Sequence, residues 1–161
     1  FVVDNFSNCI AVIDGSVYGF AGTKALPYKT NTALYLYGKN QIVSKNYITG
    51  DQFVAFKTLS STSGVGFIAD FALDDELNLY VLHNDYKLSK FDSERVHQFT
   101  ISMQSILSAT SATNAAVDVC YEYASGSKNK SIIVMSTDIN NKISFAKITD
   151  QGVVLQQVLQ N

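Results

Sequence analysis

The sequence predicts an all-β fold of roughly a dozen short antiparallel strands, and three observations predict it. Short apolar or alternating runs recur at a spacing of ~8–12 residues, each closed by turn-forming residues. Helical periodicity is nearly absent along the 161 residues. The composition holds 9 Tyr and 10 Phe but a single Pro and no Trp, alongside many Ser, Thr and Asn. That is the mixture of strand formers and turn formers such a chain needs.

Each element follows from that pattern. Ile10–Ile13 runs into Asp14-Gly15, a tight-turn dipeptide, and Val17–Phe20 is the expected return strand. Leu34–Tyr37 meets Gly38-Lys39-Asn40 and continues as Gln41–Val43. Ile68–Leu73 meets Asp74-Asp75-Glu76, followed by Leu77–Leu82. Lys87–Phe91 and Val96–Met103 complete that group. Ile132–Met135, Lys142–Ile148 and Val153–Leu159 repeat the scheme. The stretch 101–117 is the one place for a short helix or a loop, since Ile106 and Leu107 lie among Ser, Ala and Thr without a sustained apolar stripe.

Internal repetition narrows the architecture. Ala69-Asp70-Phe71-Ala72-Leu73-Asp74 resembles Val117-Asp118-Val119-Cys120-Tyr121-Glu122, with Asp70 and Asp118 aligned 48 residues apart. Leu79–Leu82 matches Ile132–Met135 at an offset of 53, and Lys87–Ser89 matches Lys142–Ser144 at 55. A weaker copy, Leu34–Tyr37, lies 45 residues before Leu79–Leu82. The unit is therefore ~45–50 residues of about four strands, the size of a propeller blade. Three blade-like units are expected at 1–59, 60–107 and 108–161, with a β-sandwich as the alternative. In a blade both faces pack on neighbours, so strands such as Leu79–Leu82 and Ile132–Met135 are expected to be buried on both sides.

Residues 69–82 and Lys87-Leu88-Ser89-Lys90-Phe91-Asp92 resemble a blade of the NHL type. In that family an apolar strand with Asp at its turn precedes Asn-hydrophobic-Tyr-Val, then a basic residue and Phe-Asp. Ser93-Glu94-Arg95 stands here where a Gly is usual. The resemblance implies a β-propeller fold, found in recognition scaffolds, lactonase-like enzymes and phage tail structural proteins. It implies no one function among these.

Charge excludes some partners. Twelve basic and 14 acidic side chains give a net charge of -2, so no basic field is available for nucleic acid or anionic lipid. No run approaches the ~18 apolar residues of a membrane span. The chain begins at Phe1 without a basic-then-apolar leader, so a processed product, an excised domain or part of a longer chain is expected. Cys9 and Cys120 lie in apolar runs and are expected to be buried thiols. Asn5-Phe6-Ser7 and Asn129-Lys130-Ser131 match the glycosylation tripeptide, a pattern short enough to recur by chance.

Candidate chemistry is sparse. Asp74-Asp75-Glu76 could hold a hard cation but reads as a solvated hairpin tip, and Asp138-Ile139-Asn140-Asn141, lacking the Gly and Glu of a calcium loop, reads as a turn. His83 and His97 read as surface residues without a catalytic partner. Gly64-Val65-Gly66 has no following helix to hold phosphate, and Tyr35, Tyr37 and Tyr47 read as packing. Asp70 and Asp118 are the candidate binding residues: each either lines a central channel or caps backbone amides between units. No catalytic residue, metal site or cofactor is expected.

Three blades are too few to close a ring of 4–8, so the partners expected are proteins: a second copy, giving six blades, or the rest of a longer chain. The resulting expectation is a non-enzymatic structural or interaction module. A virion component such as a phage tail or fibre, hence a virion or extracellular location, is its setting. The alternative is a metal-dependent lactonase- or lyase-like propeller enzyme whose channel ring includes Asp70 and Asp118.

Overall fold

Four-stranded antiparallel meanders make up most of the described residues. The computed structural model describes residues 2–3, 9–11, 22–25, 33–37, 40–46, 54–59, 66–107, 112–138 and 140–160. The chain divides into two units, Phe1–Ser61 and Thr62–Asn161.

In the first unit β1 (Val2–Val3) pairs with β2 (Cys9–Ala11). A sheet follows in strict chain order: β3 (Gly22–Ala25), β4 (Ala33–Tyr37), β5 (Gln41–Asn46) and β6 (Val54–Thr58). Tyr35 and Ile42 are buried, and the Tyr35 ring meets Phe56 edge-on at 5.1 Å. Packing is thus the use of Tyr35; Tyr37 is half-buried, and Tyr47 lies outside the described residues. The hairpin expected at Asp14-Gly15, the tripeptide at Asn5 and the side chain of Cys9 also lie outside them.

The second unit holds two further meanders. The first is β7 (Ile68–Leu73), β8 (Leu79–His83), β9 (Lys87–Phe91) and β10 (His97–Ser102). The second is β11 (Ala112–Ala124), β12 (Ser127–Asp138), β13 (Ile143–Thr149) and β14 (Val154–Gln160). Within the stretch 101–117, only α1 (Gln104–Leu107) is helical; apart from Met103 the rest described is strand, and β11 forms a twelve-pair ladder with β12. That ladder supplies the hydrogen bonds that weak local propensity does not specify.

One hairpin design recurs in this unit. At Asp74–Asn78, Asp92–Val96 and Thr149–Val153, the first residue exchanges backbone bonds with the fourth and fifth. Its side chain then accepts the amides two and four residues on: Asp74 Oδ1 from Glu76 and Asn78, Asp92 Oδ1 from Glu94 and Val96, Thr149 Oγ1 from Gln151 and Val153. The fourth residue has positive φ each time, as Leu77 (64°), Arg95 (70°) and Gly152 (83°). Arg95 therefore occupies a corner that glycine would take without strain, and its guanidinium compensates by donating to the Leu77, Asp92 and Ser93 carbonyls.

The two sheets pack with β11 against β7 and β8. Their shared core takes Ala72, Tyr80, Leu82 and Leu88 from one sheet, and Val117, Val119, Ile132, Val134, Ala146 and Ile148 from the other. α1 packs on β13 and β14 and adds Leu107, while Met103 before it is fully buried. All five residues of β8 are buried, so this strand is covered on both faces. β12 differs: Ile132 and Val134 are fully buried, but Met135 is 46% exposed. The expectation of two-sided burial therefore holds for Leu79–Leu82 and fails for Ile132–Met135, whose outward face is open. Cys120 lies on that open side and is exposed, not the buried thiol expected from its apolar neighbours. Among the described residues no helix is long and apolar enough to cross a membrane.

Candidate functional site

The polar groups singled out in the sequence gather along the joint between the two sheets of the second unit. Asp70 on β7 accepts the backbone amide of Val117 on β11 at 2.9 Å through Oδ2. This is the amide-capping role, applied across two sheets. Asp118 occupies the matching place on β11, is exposed, and accepts the amide of its own neighbour Val119 at 2.9 Å. The two aspartates do not converge on one ligand position through these bonds: each is turned to a backbone amide. Removing the Asp70 carboxylate leaves a partly buried N–H without this partner. Asp70→Ala is expected to cost about 1–3 kcal/mol, and Asp118→Ala under ~0.5 kcal/mol, in urea unfolding. Equal costs would remove the cap as the explanation.

The strongest polar centre is one the sequence reading missed. Asp74, read as part of a solvated tip, is only 1% exposed. Its Oδ1 accepts the Glu76 and Asn78 amides at 2.9 and 2.8 Å. Its Oδ2 accepts from Lys130 Nζ at 2.6 Å, Asn78 Nδ2 at 2.7 Å and the Tyr80 hydroxyl at 3.2 Å. Burial alone would raise this carboxyl, but the Lys130 and Asn78 donors outweigh it and hold it below the usual carboxylate value. Burial likewise works against the Lys130 ammonium, and Asp74 and Glu76 hold it above its ordinary value. The Tyr80 phenol is pushed far up, by burial first and then by the charge and hydrogen bond of Asp74.

Beside this centre a cleft of about 600 Å³ opens between the Asp74 hairpin and the β11–β12 ladder. Tyr121 donates to Asp75 Oδ1 at 2.6 Å and accepts the Asp75 amide at 2.7 Å. Lys128 pairs with Asp75 and lies 4.2 Å from the Tyr121 ring centroid. Lys130 also reaches Glu76 at 3.0 Å, and Lys147 pairs with Glu122. The carboxylates of Asp75, Glu76 and Glu122 are each paired with a lysine, with Lys130 shared between Glu76 and the buried Asp74. Among the described residues no group of three or more His, Cys, Asp or Glu side chains could hold a metal ion. A further link ties the sheets together: Lys90 Nζ, itself buried, donates to the Asp150 carbonyl at 2.8 Å.

The histidines part company. His97 is exposed, as expected, but His83 is fully buried at the end of β8. Strand parity sends it inward with Leu79 and Val81. His83 Nδ1 lies 2.9 Å from the Gly66 carbonyl, which can only accept, so that nitrogen carries the proton. Nε2 then accepts from Ser89 Oγ at 2.9 Å, and Ser89 accepts from Thr100 at 2.8 Å. Thr100 in turn accepts from His97 Nε2 at 2.8 Å. Ser89 is 2% exposed, so this Ser–His contact is a satisfied core bond without access for a substrate. Gly66 contributes a backbone acceptor; Gly64 and Val65 lie outside the described residues.

Burial, the dominant influence, lowers the His83 value below 6.5. The unfolded chain then takes up its proton first as pH falls. Stability is complete above about pH 7 and declines as pH drops through ~6.5 toward the folded value. Urea midpoints between pH 8 and pH 5 are expected to show that slope and to lose it in His83→Gln. An unchanged slope in the variant assigns the effect elsewhere.

No family model and no curated protein matches the chain. Among solved structures, a protein of unknown function from Bacteroides caccae is similar at a TM-score of 0.47 and 12% identity, covering 80% of this chain. The chain spans 41% of that protein's length. Nothing in these comparisons indicates an enzymatic activity.

Proposed function

We propose that this chain is a non-enzymatic structural or interaction module built of propeller-blade-like units, acting through protein–protein contacts. The observation that carries the reading is the joint between successive meanders. A sheet in strict chain order is fixed to the next by an apolar interface and by the Asp70, Asp74, Tyr121 and Lys90 links. Side chains that could serve catalysis are already engaged: Asp74 by five donors at that joint, Ser89 and His83 by each other within the first of the two sheets. Extended repeat proteins bury such joints serially and use the remaining surfaces for partners. A virion component, such as part of a phage tail or fibre, is the setting this reading favours, on the Trp-free, Asn- and Ser-rich composition.

Native mass spectrometry and metal analysis of the particle holding this chain test the reading. A protein assembly of fixed stoichiometry, with no stoichiometric metal, is expected. A free 17.6 kDa chain that binds calcium, and loses it in Asp70→Asn, would overturn it in favour of a metal-dependent propeller enzyme.

A further inference from the structure

The register shows which faces of the two sheets correspond. Asp70 lies opposite Leu82 across the β7–β8 ladder, and Asp118 lies opposite Ile133 across β11–β12. Residues directly opposite in a ladder share a face. The Asp70 face therefore carries Ala72, Tyr80, Leu82 and Leu88, and the next sheet covers it. The Asp118 face carries Cys120, Ile133, Met135, Ile143 and Phe145, with Met135 opposite Phe145 and Ile143 opposite Thr137. On this face Met135 is 46% and Ile143 40% exposed.

We propose that this outward face of β11–β14 docks a four-stranded sheet of a second copy of this chain, with Asp118 capping a backbone amide of its first strand. The inference rests on the module reading above and names the surface that reading uses. Two observations converge on it. The face continues an interface the chain already builds once: the side of the preceding sheet marked by Asp70 is apolar and covered by a sheet of the same repeat. The capping aspartate is also repeated. Asp70 reaches across to Val117, whereas Asp118, in the matching place, is exposed and bonds the amide next to it.

A second copy brings further four-stranded sheets built on the same strand order. At one end of the face, Glu122 and Lys147 form an ion pair, so neither presents an unanswered charge to the incoming sheet. Covering Met135, Ile143 and Phe145 removes apolar surface from water, and an exposed apolar patch on an otherwise polar strand pair marks an interaction site.

Sedimentation equilibrium of the 161-residue chain tests this. A concentration-dependent dimer is expected. Met135→Lys and Ile143→Lys, both at exposed positions, abolish it with circular dichroism unchanged. Asp118→Ala weakens it about tenfold, the worth of one charge-assisted hydrogen bond. Val96→Lys, an exposed apolar position on the other sheet's hairpin, leaves it intact. A chain that stays monomeric at ~100 μM, weaker than any stable interface, overturns the proposal, as does a dimer indifferent to Met135→Lys and Ile143→Lys or equally lost in Val96→Lys. A monomeric chain that still sits in a native assembly overturns this occupant and leaves the module reading standing. A free chain with bound metal overturns both.

Discussion

Lys130→Met is expected to destabilise the second unit by about 3 kcal/mol at pH 7, the lower end of the cost of breaking a buried ion pair. The lysine is 13% exposed and its partner Asp74 not at all. The variant keeps an unbranched stem of the same length, with a thioether sulfur in place of Cδ, and lacks the ammonium, leaving a buried carboxylate with its neutral donors from Asn78, Glu76 and Tyr80. Lys147→Met breaks a pair whose Glu122 partner is 55% exposed, and is expected to cost ~0.5 kcal/mol or less. The pH dependence follows from the sign of the Asp74 shift. A carboxyl held low in the folded state contributes stability present above its unfolded value near 3.8 and lost as pH falls through the folded value. Without Lys130 that contribution is gone, so wild type and variant are expected to converge in urea unfolding between pH 7 and pH ~3. A Lys130→Met cost equal to that of Lys147→Met would show that Asp74 is not the centre of the joint.

Leu82→Ala is expected to cost about 2–5 kcal/mol, because Leu82 is fully buried between the two sheets and its removal leaves a cavity walled by both. Met135 is the residue that the 53-residue repeat offset places against Leu82. In the monomeric chain Met135→Ala is expected to cost under ~1 kcal/mol, since its side chain is half in water. The contrast is the informative quantity. Urea midpoints of both variants, read at a concentration where the chain is monomeric, check it. Equal losses would mean that the outward face is already covered within one chain.

Much of the second unit was legible in the sequence. Ile68–Leu73 and Lys87–Phe91 come out residue for residue as β7 and β9, because each is an apolar run closed by a hairpin whose first residue is Asp or whose tip is Asn-Asp. β11 and β12 were harder. Only Ile132–Met135 advertises a strand, yet β12 runs from Ser127 to Asp138. Its polar half is held by the ladder to β11, where Tyr121 faces Lys130 and Glu122 faces Asn129, and pairing of that kind leaves no mark in local composition.

The site was less legible for the same reason. Asp74 and Lys130 are 56 residues apart, and nothing local to either announces the other. Lys130 drew notice only as the middle of a glycosylation tripeptide. One signal was available: an Asp at a hairpin's first position, followed four residues later by Asn, suits a carboxylate wrapped by its own turn. His83 could have been placed inside by parity, two residues beyond Val81 on a strand apolar on both sides. Its partners Gly66 and Ser89 belong to the fold.

The Tyr80 phenol gives the molecule an optical readout of its own. With no Trp in the chain, near-ultraviolet absorbance comes chiefly from tyrosine. Phenols ordinarily ionise near pH 10, but Tyr80 is sealed against the Asp74 carboxylate and held well above that. Its tyrosinate band therefore emerges under alkaline conditions only as the joint opens, which lets spectrophotometric titration follow the separation of the two sheets without any added label.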